Sequence, residues 1–549
     1  MFFSIVGILF FLGSQWKGNL DSVANISLDY RYLPLYIIQS ISRIGIAYLL
    51  SLVFSITYGY IAKKNKVTET VMISLLDILQ SIPVLSFLPG VLLAMISLFP
   101  NKRIGVELAS IILIFTGQVW NMAFSYYHSV STVPRDLLEV AKVNHFSKFY
   151  KFLRIDLPFS SIGLVWNSMM SVAGGWFFLM ACEMFAVKGK DFRLPGIGSY
   201  IQLAANTGDM NKVFLGLFVM IVIIIILDFI VWRPLVVWTQ KFRVDNIPSE
   251  EDKESFVLNL IMTSKIIDSL SKWFDNTFDK LNVFLLKIEE KGEHFKKKKN
   301  FSPIIYIVLL LVIIALFFNG AKNGINLLLQ LDKKDLLLLI KAGLYSFLRT
   351  LAAILLGALW TIPLGVTIGM KPKVARILQP IIQVTASVPA TALFPVIIFF
   401  LIKLGGGLDF GAIFLMLLGT QWYILFNVIA GATSIPQDLK DMAKLYNLQG
   451  LNKWKTLILP GIFPYLITGL ITATGGAWNA TIVSEYVVFG GEVKKTIGLG
   501  SLISEASATG NYSILLASTL LMAFIVICLN RLLWKRLFNI AEEKFRIEQ

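Results

Sequence analysis

Residues Asp136 to Pro158 read DLLEVAKVNHFSKFYKFLRIDLP, and 302 positions later Asp438 to Pro460 read DLKDMAKLYNLQGLNKWKTLILP. Each copy follows a proline, Pro134 or Pro436, and each is short, charged and amphipathic between long apolar segments. An acidic residue, Glu139 or Asp441, is followed two positions on by Ala141 or Ala443, and Leu157-Pro158 or Leu459-Pro460 closes the stretch. One such segment is an ordinary amphipathic loop. Two with the same span to Leu-Pro indicate an internal duplication.

The surroundings of these loops decide the class. The 549 residues are 56% hydrophobic and 15% charged, with a mean hydropathy of +0.71, which lies outside the range of soluble globular proteins. A hydrocarbon core about 30 Å thick needs roughly 20 apolar residues per helix, and the chain offers twelve candidate runs in two groups of six. The first group lies near 1–13, 34–62, 71–98, 107–130, 160–187 and 211–238, the second near 302–319, 336–370, 377–402, 410–433, 461–487 and 511–538. This predicts an all-α polytopic membrane protein with about 12 transmembrane helices. The run 1–13 is short and lacks the basic leader and cleavage pattern of a signal peptide, so it is read as a thin or tilted helix.

Cytoplasmic loops retain Lys and Arg. With the amino terminus inside, the inner segments collect Lys63, Lys64, Lys66, Arg135, Lys142, Lys148, Lys151 and Arg154, the lysine-rich stretch 241–299, and the basic tail from Arg531 to Arg546. Both termini and both charged loops are therefore expected in the cytoplasm. The net charge of +16 is read as membrane anchoring and not as nucleic-acid binding. Cys182 and Cys528 lie in apolar helices, and His128, His145 and His294 are scattered without ligand spacing. Neither a disulfide framework nor a metal site is expected. No Walker motif, HExxH or GxSxG is present, so no catalytic residue is assigned and any ATP hydrolysis belongs to another polypeptide.

The duplication extends well beyond the loops. Ser40-x-x-Arg43 recurs as Ser346-x-x-Arg349, and Ser81-Ile82-Pro83 with Pro89 recurs as Ser387-Val388-Pro389 with Pro395. Gly174-Gly175-Trp176 with Glu183 matches Gly476-Ala477-Trp478 with Glu485, and Gly196-Ile197-Gly198-Ser199 matches Gly498-Leu499-Gly500-Ser501. An even number of spans per copy makes the repeats parallel, and the chain divides into a first repeat at 1–243, a linker at 244–301 and a second repeat at 302–549. Within the linker, apolar residues from Phe256 to Ile288 recur at three- and four-residue steps. That pattern predicts one or two amphipathic helices, either on the inner leaflet or packed beneath the protein.

This combination of SxxR, SxPxxxxxP, the paired loops, a tryptophan followed by a helix glutamate, and GxGS resembles ATP-binding-cassette importer permeases of the nitrate, sulfonate, taurine and bicarbonate group, in their duplicated form. The paired loops resemble that family's EAA loop. The resemblance implies a type I importer transmembrane fold, a small-anion substrate, two ATPase subunits that carry ATP and magnesium, and an extracytoplasmic solute-binding protein, in the cell's plasma or inner membrane. On this view the ATPase-coupling residues are Asp136, Glu139, Ala141, His145 and Pro158, and Asp438, Asp441, Ala443, Asn447 and Pro460. Two departures stand out. Where the family has glycine six positions after the acidic residue, this chain has His145 and Asn447, and Val140 and Met442 replace the first alanine. Asn accepts the left-handed backbone more readily than His, so the second loop is expected to follow the family's docking geometry more closely. A secondary transporter with internal repeats is the alternative, and a membrane-embedded enzyme would need a polar cluster that the sequence lacks.

Charges inside apolar helices are rare and are usually paired or functional. Pairs of Arg43 with Glu183 and of Arg349 with Glu485 would keep all four from costing several kcal/mol each. The arginines are equally open to lining an anion path. Pro83, Pro89, Pro389 and Pro395 are expected to break or kink the third helix of each repeat. Broken helices commonly face a cavity, which nominates Gln80, Ser81, Ser387 and Thr391 as path-lining groups. Trp176 and Trp478 are candidate wall residues, with plain packing as the other reading.

Overall fold

The run of apolar residues from Leu33 opens with Pro34 in the first turn and continues as one helix to Ala62, because proline at that position gives up only an N–H that has no intrahelical acceptor. The computed structural model describes residues 26–80, 83–99, 102–184, 186–187, 190–191, 193–242, 256–263, 277–278, 282, 286, 318 and 321–545. The candidate spans 1–13 and 302–319 (apart from Phe318), Ser81 and most of the linker lie outside them.

The first repeat contains α1 (Leu33–Ala62), α2 (Lys66–Gln80), α3 (Leu88–Leu98), α4 (Lys102–Ser131), the short α5 (Arg135–Val143), α6 (Leu157–Glu183), α7 (Ile197–Asn206) and α8 (Met210–Leu227). The second repeats that order as α9 (Lys333–Met370), α10 (Pro372–Ser387), α11 (Ala390–Lys403), α12 (Leu408–Ser434), α13 (Gln437–Leu445), α14 (Leu459–Ser484), α15 (Leu499–Thr509) and α16 (Tyr512–Leu529). Even local irregularities are duplicated. A π-helical turn at Phe152–Asp156 recurs at Trp454–Ile458, and another at Asp228–Trp232 recurs at Asn530–Trp534.

Among the described residues, eight helices are long and apolar enough to cross a membrane, and nine if the bent pair Pro372–Ser387 and Ala390–Lys403 is one span. The protein is a multi-pass membrane protein. In each repeat the first, fourth and sixth helices pack together. Small residues allow close approach there: a Cβ at Gly369 would stand 2.6 Å from Ala432 Cβ and 2.7 Å from the Ile429 carbonyl. One apolar core runs across both repeats, from Ile44 and Trp176 to Trp478 and Met522.

Two details differ from the sequence reading. The chain is not purely helical, since β1 (Ala186–Val187) pairs antiparallel with β2 (Lys190–Asp191) and β3 (Tyr486–Phe489) pairs with β4 (Glu492–Lys495). Strands of two to four residues are too short for a period-2 signal, and the expected helices 160–187 and 461–487 overran them. The prolines also act unequally. The breaks fall at Pro83 and Pro389, with an 85° bend between α10 and α11. Pro89 sits in the first turn of α3, where proline is tolerated, and α11 continues through Pro395. Of the linker, Phe256–Met262 forms a short helix with Leu258 buried.

Candidate functional site

The two amphipathic loops fold alike. α5 and α13 are nine residues each and start directly after Pro134 and Pro436. Asp136 and Asp438 occupy the first turn, where the helix dipole favours a carboxylate by about 0.3–1 kcal/mol. Each helix ends in the same cap. Phe146 N–H donates to the Ala141 carbonyl and His145 N–H to that of Lys142, at 2.9 and 3.1 Å; Leu448 N–H donates to Ala443 and Asn447 N–H to Lys444, at 2.9 and 3.0 Å. This bonding pattern requires a left-handed residue after the last helical one, and His145 and Asn447 have φ of 49° and 50°. They are the only non-glycine residues with positive φ among those described. The backbone difference expected between a histidine and an asparagine loop is therefore absent. The cap imposes the conformation on whichever residue stands there.

Ala141 and Ala443 are the only buried residues of their helices. Ala141 packs with Val133 and Ile155, and Ala443 with Ile435 and Ile458, so these alanines seat the helix on its own repeat. The outward side carries Glu139, Val140 and Val143 in one loop and Asp441, Met442 and Leu445 in the other, all exposed. Lys444 at 2.8 Å and Gln437 at 3.1 Å donate to Asp441 Oδ1, and these bonds hold its carboxyl below the usual range. Pro158 and Pro460 lie in the first turns of α6 and α14.

The buried charges form one node per repeat. Arg43 Nη1 donates to Glu183 Oε1 at 2.7 Å and to the Pro195 carbonyl at 2.8 Å. Its Nε and Nη2 grip the two oxygens of Glu107 at 2.6 and 2.7 Å, a bidentate pair of the strong kind. Ser40 Oγ donates to Glu183 at 2.7 Å and accepts from Ile197 N–H at 3.0 Å, while Gly198 N–H donates to Glu183 Oε2 at 2.8 Å. In the second repeat Arg349 Nη1 donates to Glu485 at 3.2 Å and to the Ile497 carbonyl at 2.6 Å. Its Nη2 donates to Asp409 at 3.2 Å and to Thr496 Oγ1 at 2.7 Å. Ser346 donates to Glu485 at 2.8 Å and accepts from Leu499 N–H at 2.8 Å, and Gly500 N–H donates to Glu485 at 2.9 Å.

Three separate motifs, SxxR, the helix glutamate and GxGS, thus converge on one carboxylate. The first glycine of GxGS is there for space: a Cβ at Gly196 or Gly498 would fall on the carboxylate of Glu183 or Glu485. Sequence reasoning missed Glu107 and Asp409, although they recur at the same lag of 302 as the glutamates they accompany.

The nominated path residues scatter. Gln80 ends α2 half-buried, and Ser387 Oγ donates to the Val384 carbonyl at 2.7 Å. Trp176 and Trp478 are both buried in the core shared by the repeats. Thr391 is 2% exposed, and its hydroxyl has no partner. Asn479 Oδ1 of the second repeat accepts from Leu85 N–H of the first at 3.3 Å, a cross-repeat contact that no motif announced. On another face, β3 and the turn after it reach the first repeat: Gln202 Nε2 donates to the Val488 carbonyl at 2.9 Å and Gly490 N–H to that of Ala205 at 3.1 Å.

Two parallel membrane-spanning repeats, each with a buried arginine-carboxylate node and a capped amphipathic helix, define a duplicated multi-pass membrane protein. More narrowly, the chain belongs to the family of binding-protein-dependent transport system inner membrane components, whose model matches residues 22–232 and again 361–538. It is similar to a nitrate import permease of Leptolyngbya laminosa, 30% identical over 189 residues that make up 34% of this chain and 63% of that one. A bicarbonate transport system permease of Synechocystis is 32% identical over 151 residues, 28% of this chain and 51% of its own. A taurine transport system permease of Escherichia coli is 28% identical over 184 residues, 34% of this chain and 63% of its own. The chain thus spans less than two thirds of the length of each of these relatives.

Proposed function

We propose that this chain supplies both transmembrane halves of an ATP-driven importer for a small anion of the nitrate, bicarbonate or sulfonate kind. The observation that carries the reading is the pair of capped helices α5 and α13, seated by a buried alanine and presenting exposed apolar and acidic residues. A force-transmitting helix needs such a rigid seat and an unfilled outer face. Two separate ATPase subunits, holding ATP and magnesium, would dock one on each helix, and an extracytoplasmic solute-binding protein would deliver the substrate. ATP binding would draw α5 and α13 together and open the interface between the repeats outward, and hydrolysis would return it. The named substrates of the relatives support the anion class, and family membership favours this over a secondary transporter.

The plasma or inner membrane is the proposed location, with both termini, the linker at 244–301 and both coupling helices on the cytoplasmic side. Cysteines placed near Lys102 and Lys494 should then react with an impermeant reagent from outside, and cysteines near Lys148 and Lys453 should not. The arginines Arg43 and Arg349 are assigned a structural role because their donors are directed at protein acceptors.

Proteoliposome uptake of nitrate, bicarbonate and taurine by the complex of this chain with its ATPases and binding protein tests the reading. Glu139→Lys and Asp441→Lys should leave the chain inserted while lowering ATPase association and uptake at least tenfold, since reversing a charge in a docking socket costs several kcal/mol. The identical caps predict equal damage from the two. Unchanged association in both variants would remove the coupling role.

A further inference from the structure

The repeats are superimposable in sequence around their broken helices, and there they part. Leu85, in the first turn after the break at Pro83, has its N–H covered by the carboxamide oxygen of Asn479 from the opposite repeat. The residue matching Leu85 is Thr391, in the first turn of the 14-residue helix α11 after Pro389. The residue matching Asn479 is Phe177, which has no acceptor to offer. So the first repeat places an oxygen on its helix terminus, and the second carries a phenylalanine at the position that matches the donor of that oxygen.

Three observations meet at the α11 terminus. As the second residue of the helix, Thr391 has an N–H with no intrahelical acceptor. Its hydroxyl, in the same turn, is 2% exposed and has no partner. Pro389 caps the helix without a side-chain hydrogen bond. The flanking surface is built from small groups: a Cβ at Gly419 would meet only Ala390 and Ala480, at 3.9 and 4.0 Å. In the first repeat the residue matching Gly419 is Gly117, and the ring of Phe178 presses into it.

We propose that the first turn of α11, with the amide and hydroxyl of Thr391 as donors and Phe177 as an apolar wall, is a subsite for a small oxyanion on its way between the repeats. The chemistry follows from the donors. Buried N–H and O–H groups at the positive end of a helix dipole favour an anion's oxygen, and broken membrane helices use their amino-terminal ends in this way. An oxyanion would take the place that the Asn479 oxygen takes in the other repeat. The inference rests on the reading of the chain as an anion permease.

Titration calorimetry of the purified complex of this chain with its ATPases, without binding protein, tests it with sodium nitrate, sodium bicarbonate and taurine as probes. The wild-type complex should bind at least one of the three. Thr391→Val should weaken that binding at least fivefold, while Thr391→Ser, which keeps the hydroxyl, should stay within twofold. Phe177→Asn, which copies the carboxamide of the other repeat, should weaken binding as Thr391→Val does. Absence of binding in the wild type, or equal binding by the wild type, Thr391→Val and Phe177→Asn, would overturn the subsite and leave these donors to water. Proteoliposome uptake reports separately on the functional reading: binding without uptake would overturn the importer and leave the subsite standing.

Discussion

At Arg43 and Arg349 the two repeats carry nearly the same arrangement, whereas at Leu85 and Thr391 they carry different ones. Both arginines reach a buried glutamate, a second carboxylate and a backbone carbonyl, and both glutamates close on a serine and a glycine N–H. Where a charge is buried, leaving it unpaired is costly in either copy, so the node tolerates little change. At the helix break the constraint is only that a terminus be covered, and the first repeat does so with Asn479 while the second leaves the Thr391 hydroxyl without a partner. Agreement between the repeats marks what holds the molecule together, and disagreement marks where it is free to meet something else.

The largest effects should come from breaking the agreement. Arg43→Ala should destabilise the chain by about 3–5 kcal/mol, the usual result of stranding a buried charge, read as a loss of thermal stability in detergent. Arg349→Ala should cost less, because its ion-pair contacts are longer and Asp409 is 73% exposed. Adding Glu485→Gln to Arg349→Ala should recover part of the loss. Strict additivity in that cycle would mean that the two residues are not partners, and equal losses at Arg43 and Arg349 would erase the distinction between the nodes.

Smaller changes are expected at the helix caps. His145→Gly and Asn447→Gly should each stabilise by up to about 1 kcal/mol, because glycine meets no Cβ penalty at positive φ. Replacement of either residue by alanine should destabilise by roughly 1 kcal/mol or more. The gain from glycine should be larger at His145, since asparagine already tolerates this conformation. Equal responses at the two sites would show that residue type does not matter to the cap.

The smallest effect concerns pH. Asp441 has its carboxyl lowered by hydrogen bonds from Lys444 and Gln437. Its contribution is therefore present above the ordinary carboxylate pKa and is lost as pH falls through the lowered folded value. Asp441→Asn should leave stability near neutral pH almost unchanged and remove a slight acid-side slope from the thermal unfolding temperature. A slope that persists in the variant would place its origin elsewhere.

Much of this was legible because the chain is written twice. The recurrence of SxxR at a lag of 306, and of the glutamate and GxGS at 302, identified the residues of the node apart from Glu107 and Asp409, and hydropathy located the long helices to within a few residues. The hairpins escaped because strands of two to four residues leave no period to detect. Pro89 misled because a proline in a first turn and a proline at a break look the same in a linear sequence. The Asn479 contact was invisible for a deeper reason: it joins residues 394 positions apart and has no copy in the other repeat, so a search for similarity passes over it. His145 shows the converse, a residue whose preference argued against the conformation that the cap bonds then impose.

The central claim is that one chain provides both halves of the membrane channel. Native mass spectrometry of the tagged full-length chain, purified from its own membranes in mild detergent, tests it directly. The account predicts a complex containing one copy of this chain and two ATPase subunits recognisable by their nucleotide-binding sequences, with Glu139→Lys and Asp441→Lys each losing one of the two. A complex with two copies of this chain, or a chain that carries no ATPase at all, would contradict it.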